Sequence, residues 1–288
     1  MIAPASPLIS VAELAALLAH PESAPRLLDV RWSLPVPDGR PAYLAGRIPG
    51  ARFVDLGADL AAPASSAGRH PLPTREDLEH AARSWGLNPD DAVVLYDDVA
   101  GTSAARAWWL LRDAGVARVR VLDGGLSAWQ NAGQPLESGE PSPVSPGTIT
   151  LDNGHMPRLD ADDITAHLAT GGVLLDARQA ERYRGDVEPI DPRAGHIPGA
   201  LSAPTTANLN ADGLLRSDDE LWARFDALGA DDSRPLAVSC GSGVTAAHTI
   251  LTLDHLGRRA ALYPGSWSEW SQDAERPVAV GDEPYGTH

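Results

Sequence analysis

The chain has 288 residues, is 43% hydrophobic, and carries a formal net charge of −16 in which every basic residue is an arginine. So acidic a chain repels nucleic acid and anionic membrane surfaces, so neither is an expected partner, although a small anion needs only a local cationic pocket. A single cysteine, Cys240, excludes an internal disulfide and a cysteine-based metal site.

The opening "MIAPASPLISVAELAALLAH" lacks a basic region followed by a long apolar run, so no leader is read there. No stretch approaches the roughly 20 apolar residues that span a bilayer. A cytoplasmic protein is the expectation. Within the opening, Ser10 followed by Glu13 is a capping box and starts the first predicted helix. "RLLDV" then reads as a short buried strand, ending in Asp29, which is expected to anchor the strand end. "TREDLEHAARSWGL" predicts a helix that stops at Gly86, and "VVLYD" a second strand that ends in Asp97. "AARAWWLLRDAG" predicts the following helix, stopped by Gly115. "LDGGLSAW" closes this half of the chain.

Next comes "NAGQPLESGEPSPVSPGTITLDNGHMP", rich in Pro, Gly and Ser. That composition buries little apolar surface and predicts a linker, placed at residues 141–155. Beyond it the elements return in the same order. "GVLLDA" is a strand ending in Asp176, and "GHIPGA" repeats the earlier "GRIPGA". "SDDELWARFDALGA" repeats the capped helix, with Ser217 and Glu220 as the capping box and Gly229 as the stop. "LAVSC" repeats "VVLYD", and "TAAHTILTLDHLG" and "LYPGSWSEW" follow. Thr74 to Ser217 and Asp97 to Cys240 share one offset of 143 positions. A repeat of that length is a duplicated domain. Apolar strands alternating with helices predict a mostly parallel sheet covered on both faces. The expected fold is α/β, with one such domain at 1–140 and a second at 156–288.

The chemistry concentrates at "VSCGSGVTAA". Cys240 falls at the carboxyl end of a predicted strand, where open α/β sheets bind ligands. Gly241 and Gly243 permit a tight loop whose N–H groups turn inward, with a helix beginning just after Thr245. Inward N–H groups and a helix start favour anions and lower a thiol pKa. The alternative is a small buried hydrophobe, the commoner fate of a lone cysteine. The duplicate position is Asp97, so the first copy has the architecture without the thiol.

The combination "LLDVR", "GRIPGA", "LLDAR", "RYRG", "GHIPGA", "CGSGVTA" and "YPGSWSEW" resembles the rhodanese superfamily of sulfurtransferases in its tandem two-domain form, over nearly the whole chain. The resemblance implies a catalytically silent first domain and a second domain that carries the nucleophile. Cys240 then takes sulfur from a small anionic donor, becomes a persulfide, and passes the sulfur to a thiol such as thioredoxin or to cyanide. No metal and no organic cofactor is implied. Small neutral residues at Gly241 and Ser242 imply 3-mercaptopyruvate as donor, with thiosulfate as runner-up. The loop amides of Gly241, Gly243, Val244 and Thr245 are expected to hold the persulfide anion. Arg182 and Arg193 are expected to bind the donor, and Ser242, His70 and Asp59 to relay protons, with Asp55 competing for the place of Asp59. His196 is expected to shape its turn, His248 to be buried, and the eight tryptophans to be core or interface residues.

Two rival readings stand beside this one. A related fold uses a cysteine loop for phosphate, but needs an arginine six residues after the cysteine, where this chain has Ala246. A non-catalytic persulfide carrier needs neither Arg182 nor a complete loop.

Overall fold

The computed structural model describes residues 6–231 and 233–286. Residues 1–5, the start of the stretch read above for a leader, lie outside the described residues. The chain forms two compact units. The first comprises residues up to Ala62, Pro73–Met156 and Ala211–Leu214; the second comprises Pro63–Leu72, Pro157–Asn210 and Leu215 onward. Two short segments therefore belong to the unit opposite the one that sequence order suggests.

In the first unit β1 (Leu8–Ile9), β2 (Arg26–Asp29), β3 (Arg52–Phe53), β4 (Val93–Tyr96) and β5 (Val119–Leu122) form a parallel sheet in the order β1-β5-β4-β2-β3. In the second, β6 (Val173–Asp176), β7 (Leu201–Ser202), β8 (Leu236–Ser239) and β9 (Ala260–Leu262) form a parallel sheet in the order β7-β6-β8-β9. Taken from the other edge, β9-β8-β6-β7 repeats β5-β4-β2-β3. In place of β1, the second sheet has one parallel bridge, Arg158 to Leu262. The α/β expectation holds in both units, and the duplication is visible in topology.

The central strands are apolar because helices cover both faces. All four residues of β4, β6 and β8 are buried. Leu14, Val94, Tyr96 and Trp129 meet in one core, and Ile164, Leu174, Tyr183 and Trp267 in the other. Both predicted capping boxes form: Ser10 with Glu13, and Ser217 with Glu220. The helices Arg75–Ser84 and Asp218–Ala227 stop just before Gly86 and Gly229. Trp85, Trp108, Trp109, Trp129, Trp267 and Trp270 are buried, whereas Trp222 is half-buried under the Arg258 guanidinium at 4.0 Å.

The segment read as a linker is bound more closely than its composition suggests. Ile149 and Leu151 are buried. The amides of Gly147, Ile149, Asp152 and His155 donate to Arg83, Leu87, Ala114 and Asp113 carbonyls of the first unit. Two apolar residues spaced two apart in extended chain put both side chains on one face, enough to lay the strand down despite the surrounding Pro and Gly. No helix among the described residues is long and apolar enough to cross a membrane.

Candidate active site

Strand β8 delivers Cys240 to its carboxyl end, and the helix Thr245–His255 begins after the loop 240–244. The loop is pinned from below. The Cys240 and Gly241 carbonyls accept from the amides of Trp267 and Ser268 at 3.0 and 2.9 Å. The Cys240 amide donates to Ser266 Oγ at 3.1 Å, and Ser266 Oγ donates to the Tyr263 carbonyl at 2.8 Å. Ser266 is fully buried with φ +53°, a conformation that non-glycine residues adopt at a cost of about 1 kcal/mol or more. The Gly243 amide donates to Cys240 Sγ at 3.1 Å. Gly243 has φ +76°, and a Cβ there would stand 2.4 Å from the Pro264 carbonyl oxygen, so only glycine fits. Cys240 itself is 2% exposed.

The first unit shows what such a loop holds. Asp97, at the end of β4, accepts from the amides of Val99 and Gly101 with one oxygen and of Ser103 and Ala104 with the other, all at 2.8–2.9 Å. Burial raises the Asp97 carboxyl above the usual range, and those four amides pull it back. The loop after β4 spans 97–103, two residues longer than 240–244. Strand, loop and helix start thus make an anion cradle in the first copy, filled by its own carboxylate.

Above the cysteine loop lies a lattice of charges. A Cβ on Gly241 would meet Arg69 Nη2 at 3.1 Å and Arg182 Nη1 at 3.4 Å, so two guanidiniums face the residue next to the thiol. Arg182 Nη2 donates to both Glu188 oxygens, at 2.6 and 2.9 Å, and approaches Asp191 Oδ2 at 3.3 Å. Arg69 Nη1 donates to Asp191 Oδ1. Beneath them Arg178 grips Asp176 through Nε and Nη2, and its Nη1 lies 3.6 Å from Glu188. Burial opposes the Arg178 charge, but Asp176, Glu188 and Cys240 more than offset it and raise its pKa. The Nε atoms of Arg69 and Arg182 are buried with no acceptor among the described residues. An orphaned buried donor costs ~1–3 kcal/mol, which an incoming acceptor oxygen would recover.

His70 Nδ1 lies 2.8 Å from Ser242 Oγ. Both belong to the second unit, because the segment Pro63–Leu72 packs there, with the Arg69 amide on Ser268 Oγ at 3.1 Å. Asp59 and Asp55 lie in the first unit and cap the turn Leu56–Asp59. Asp59 accepts the Asp55 amide at 3.0 Å, and burial raises its carboxyl. Its role beside His70 rests on the resemblance alone. Arg193 is a correction. Its guanidinium donates to the carbonyls of Ser271, Arg276, Trp270 and Asp273, and so straps the carboxy-terminal turn in place of gripping a donor. A fork saturated by carbonyls has little left to offer a carboxylate. Arg69, not Arg193, is the second guanidinium that faces Gly241. It adjoins His70 in "GRHPLP", and adjacency to that expected relay histidine was the available signal. Glu188, Asp191 and Ser266 carried no such signal. The His196 ring nitrogens lie 2.8 and 3.2 Å from the Tyr183 and Pro284 carbonyl oxygens, which accept from whichever nitrogen carries a proton, and the ring stacks on Tyr183 at 3.7 Å, in keeping with a turn-shaping role.

The model of the rhodanese-like domain matches residues 10–132 and again 160–273. The chain belongs to the rhodanese-like family. It is 46% identical over 277 residues to a putative thiosulfate sulfurtransferase, SseB, of Mycobacterium tuberculosis, covering 95% of this chain and 97% of that one. It is 46% identical over 284 residues to a probable 3-mercaptopyruvate sulfurtransferase of Pseudomonas aeruginosa, covering 96% and 98%. Among solved structures, the 3-mercaptopyruvate sulfurtransferase of Leishmania major superposes with a TM-score of 0.83 at 33% identity, covering 96% of this chain and 76% of that one. The rhodanese-like chain is a sulfurtransferase built from two such domains.

Proposed function

We propose that this sulfurtransferase takes the terminal sulfur of 3-mercaptopyruvate onto Cys240, releases pyruvate, and delivers the sulfur to a thiol such as thioredoxin or to cyanide. The observation that carries the reading is the Gly243 amide on Sγ of the sole cysteine, at a strand end faced by two guanidiniums.

In this mechanism Arg69 and Arg182 bind the donor carboxylate through the guanidinium nitrogens that face Gly241. The Cys240 thiolate attacks the donor sulfur. A sulfur–sulfur bond forms, the carbon–sulfur bond breaks, and its electron pair enters the enolate of pyruvate. The donor's thiol proton passes through Ser242 and His70 to the enolate carbon. The persulfide anion is held by the Gly243 amide and by its loop neighbours from Gly241 to Thr245, as Asp97 is held in the first copy. Attack of the acceptor on the outer sulfur restores the thiolate. Neutral Gly241 and Ser242 favour 3-mercaptopyruvate, the substrate named for the Pseudomonas and Leishmania relatives. Thiosulfate, named for the mycobacterial relative, is the second donor. A single cysteine kept as a thiol suits a reducing compartment, so we place the reaction in the cytoplasm.

The test combines mass and turnover. Incubation with 3-mercaptopyruvate adds one sulfur atom at Cys240, and cyanide then yields thiocyanate. Absence of both, relative to a Cys240→Ser control, rejects the reaction.

A further inference from the structure

We propose that Asp191 is a resident counter-carboxylate that occupies the donor's place on Arg69 and Arg182 and sets how strongly, and with what charge, a donor binds. The inference rests on the proposed reading of a carboxylate donor at this site.

Asp191 bridges the two arginines that face Gly241. One oxygen accepts from Arg69 Nη1, and the other lies 3.3 Å from Arg182 Nη2. A carboxylate bridging two guanidiniums is the arrangement a carboxylate substrate would itself adopt. Asp191 is only 4% exposed, so it interacts in a medium where charge counts strongly. Three cations, Arg69, Arg178 and Arg182, face three anions, Asp176, Glu188 and Asp191. The Cys240 thiolate of the proposed mechanism adds a fourth negative charge, so the arginines are already matched, and a donor enters by exchanging its carboxylate for that of Asp191. Such exchange is hardest for a dianion such as thiosulfate and easier for a monoanion such as 3-mercaptopyruvate.

Glu188 is not equivalent. Its carboxylate also accepts the amides of Ile190 and Asp191, so it builds the loop that presents Asp191. Asp191 is the member of the pair whose charge can change with least effect on the loop.

Pyruvate binding to the resting protein, measured by calorimetry, reads the exchange without turnover. Asp191→Asn is expected to tighten pyruvate about tenfold, the scale of one exchanged charge-assisted contact. It is also expected to raise kcat/KM for thiosulfate by a larger factor than for 3-mercaptopyruvate. Unchanged or weakened pyruvate binding overturns the proposal. Should the variant fold poorly, the structure of the unaltered protein with pyruvate decides. Pyruvate between Arg69 and Arg182 with Asp191 turned away supports the exchange; pyruvate elsewhere with both ion pairs intact overturns it. If 3-mercaptopyruvate gives no thiocyanate, the reaction fails, whereas pyruvate binding still reports on Asp191.

Discussion

His70 Nδ1 stands 2.8 Å from Ser242 Oγ, two residues beyond the nucleophile. The pair joins the cysteine loop to the segment Pro63–Leu72, and in the proposed mechanism it carries the donor's proton. Ser242→Ala is expected to lower kcat by about 10²-fold, with KM moving less, as removal of a general acid–base does. His70→Gln should lower it similarly. The double variant should be little worse than either single one, because the two act as a unit. Independent, multiplying losses in steady-state assays would show that they do not form a relay.

Two arginines that look alike in sequence should behave differently. Arg182→Ala is expected to raise the donor KM at least about tenfold. Its unfolding midpoint should move little, since Arg178 still faces Glu188 at 3.6 Å. Arg193→Ala should instead cost roughly 2–4 kcal/mol of stability by orphaning carbonyls of the carboxy-terminal turn. Its donor KM should stay within about twofold of the parent, a change too small for loss of a substrate ion pair. Denaturant unfolding and donor titration on both variants check the contrast.

Ser266 combines strain with support. At φ +53° it occupies glycine's territory while its hydroxyl holds the Cys240 amide. Ser266→Gly relieves the backbone and loses the hydroxyl; Ser266→Ala loses the hydroxyl and keeps the strain. Glycine should therefore be the more stable variant, by about 1 kcal/mol. Both should slow persulfide formation in single-turnover measurements. Undiminished rates would show that the loop needs no such anchor.

Asp29 supplies a pH signature for the first unit. Burial pushes its carboxyl up to about 6, against the pull of Arg31 and a hydrogen bond with Tyr96. Between its ordinary value near 3.8 and about 6, the unfolded chain has released this proton while the fold retains it. Stability therefore falls as pH rises through that window and levels off above it. From pH 5 to pH 7 the parent should lose about 1 kcal/mol more than Asp29→Asn, as measured by urea midpoints. A difference between the two proteins that is constant with pH would remove the assignment.

Local rules and repetition made much of this molecule readable from its residues. The capping boxes at Ser10 and Ser217 and the apolar runs of β2, β4, β6 and β8 are signals that a chain carries within a few residues. The offset joining Asp97 to Cys240 needs only comparison of the chain with itself. Together they marked the cysteine, its loop and its counterpart Asp97 in the first copy. The partnerships of charged side chains were beyond such reading. Arg193 and Arg182 are both arginines near "GHIPGA", and only the fold turns one toward backbone carbonyls and the other toward Gly241. Arg69, Glu188 and Asp191 meet because Pro63–Leu72 crosses into the second unit. The reason is physical: helix and strand signals depend on neighbours along the chain, whereas an ion pair depends on distance in space, and residues 69 and 191 become neighbours only when the chain is packed.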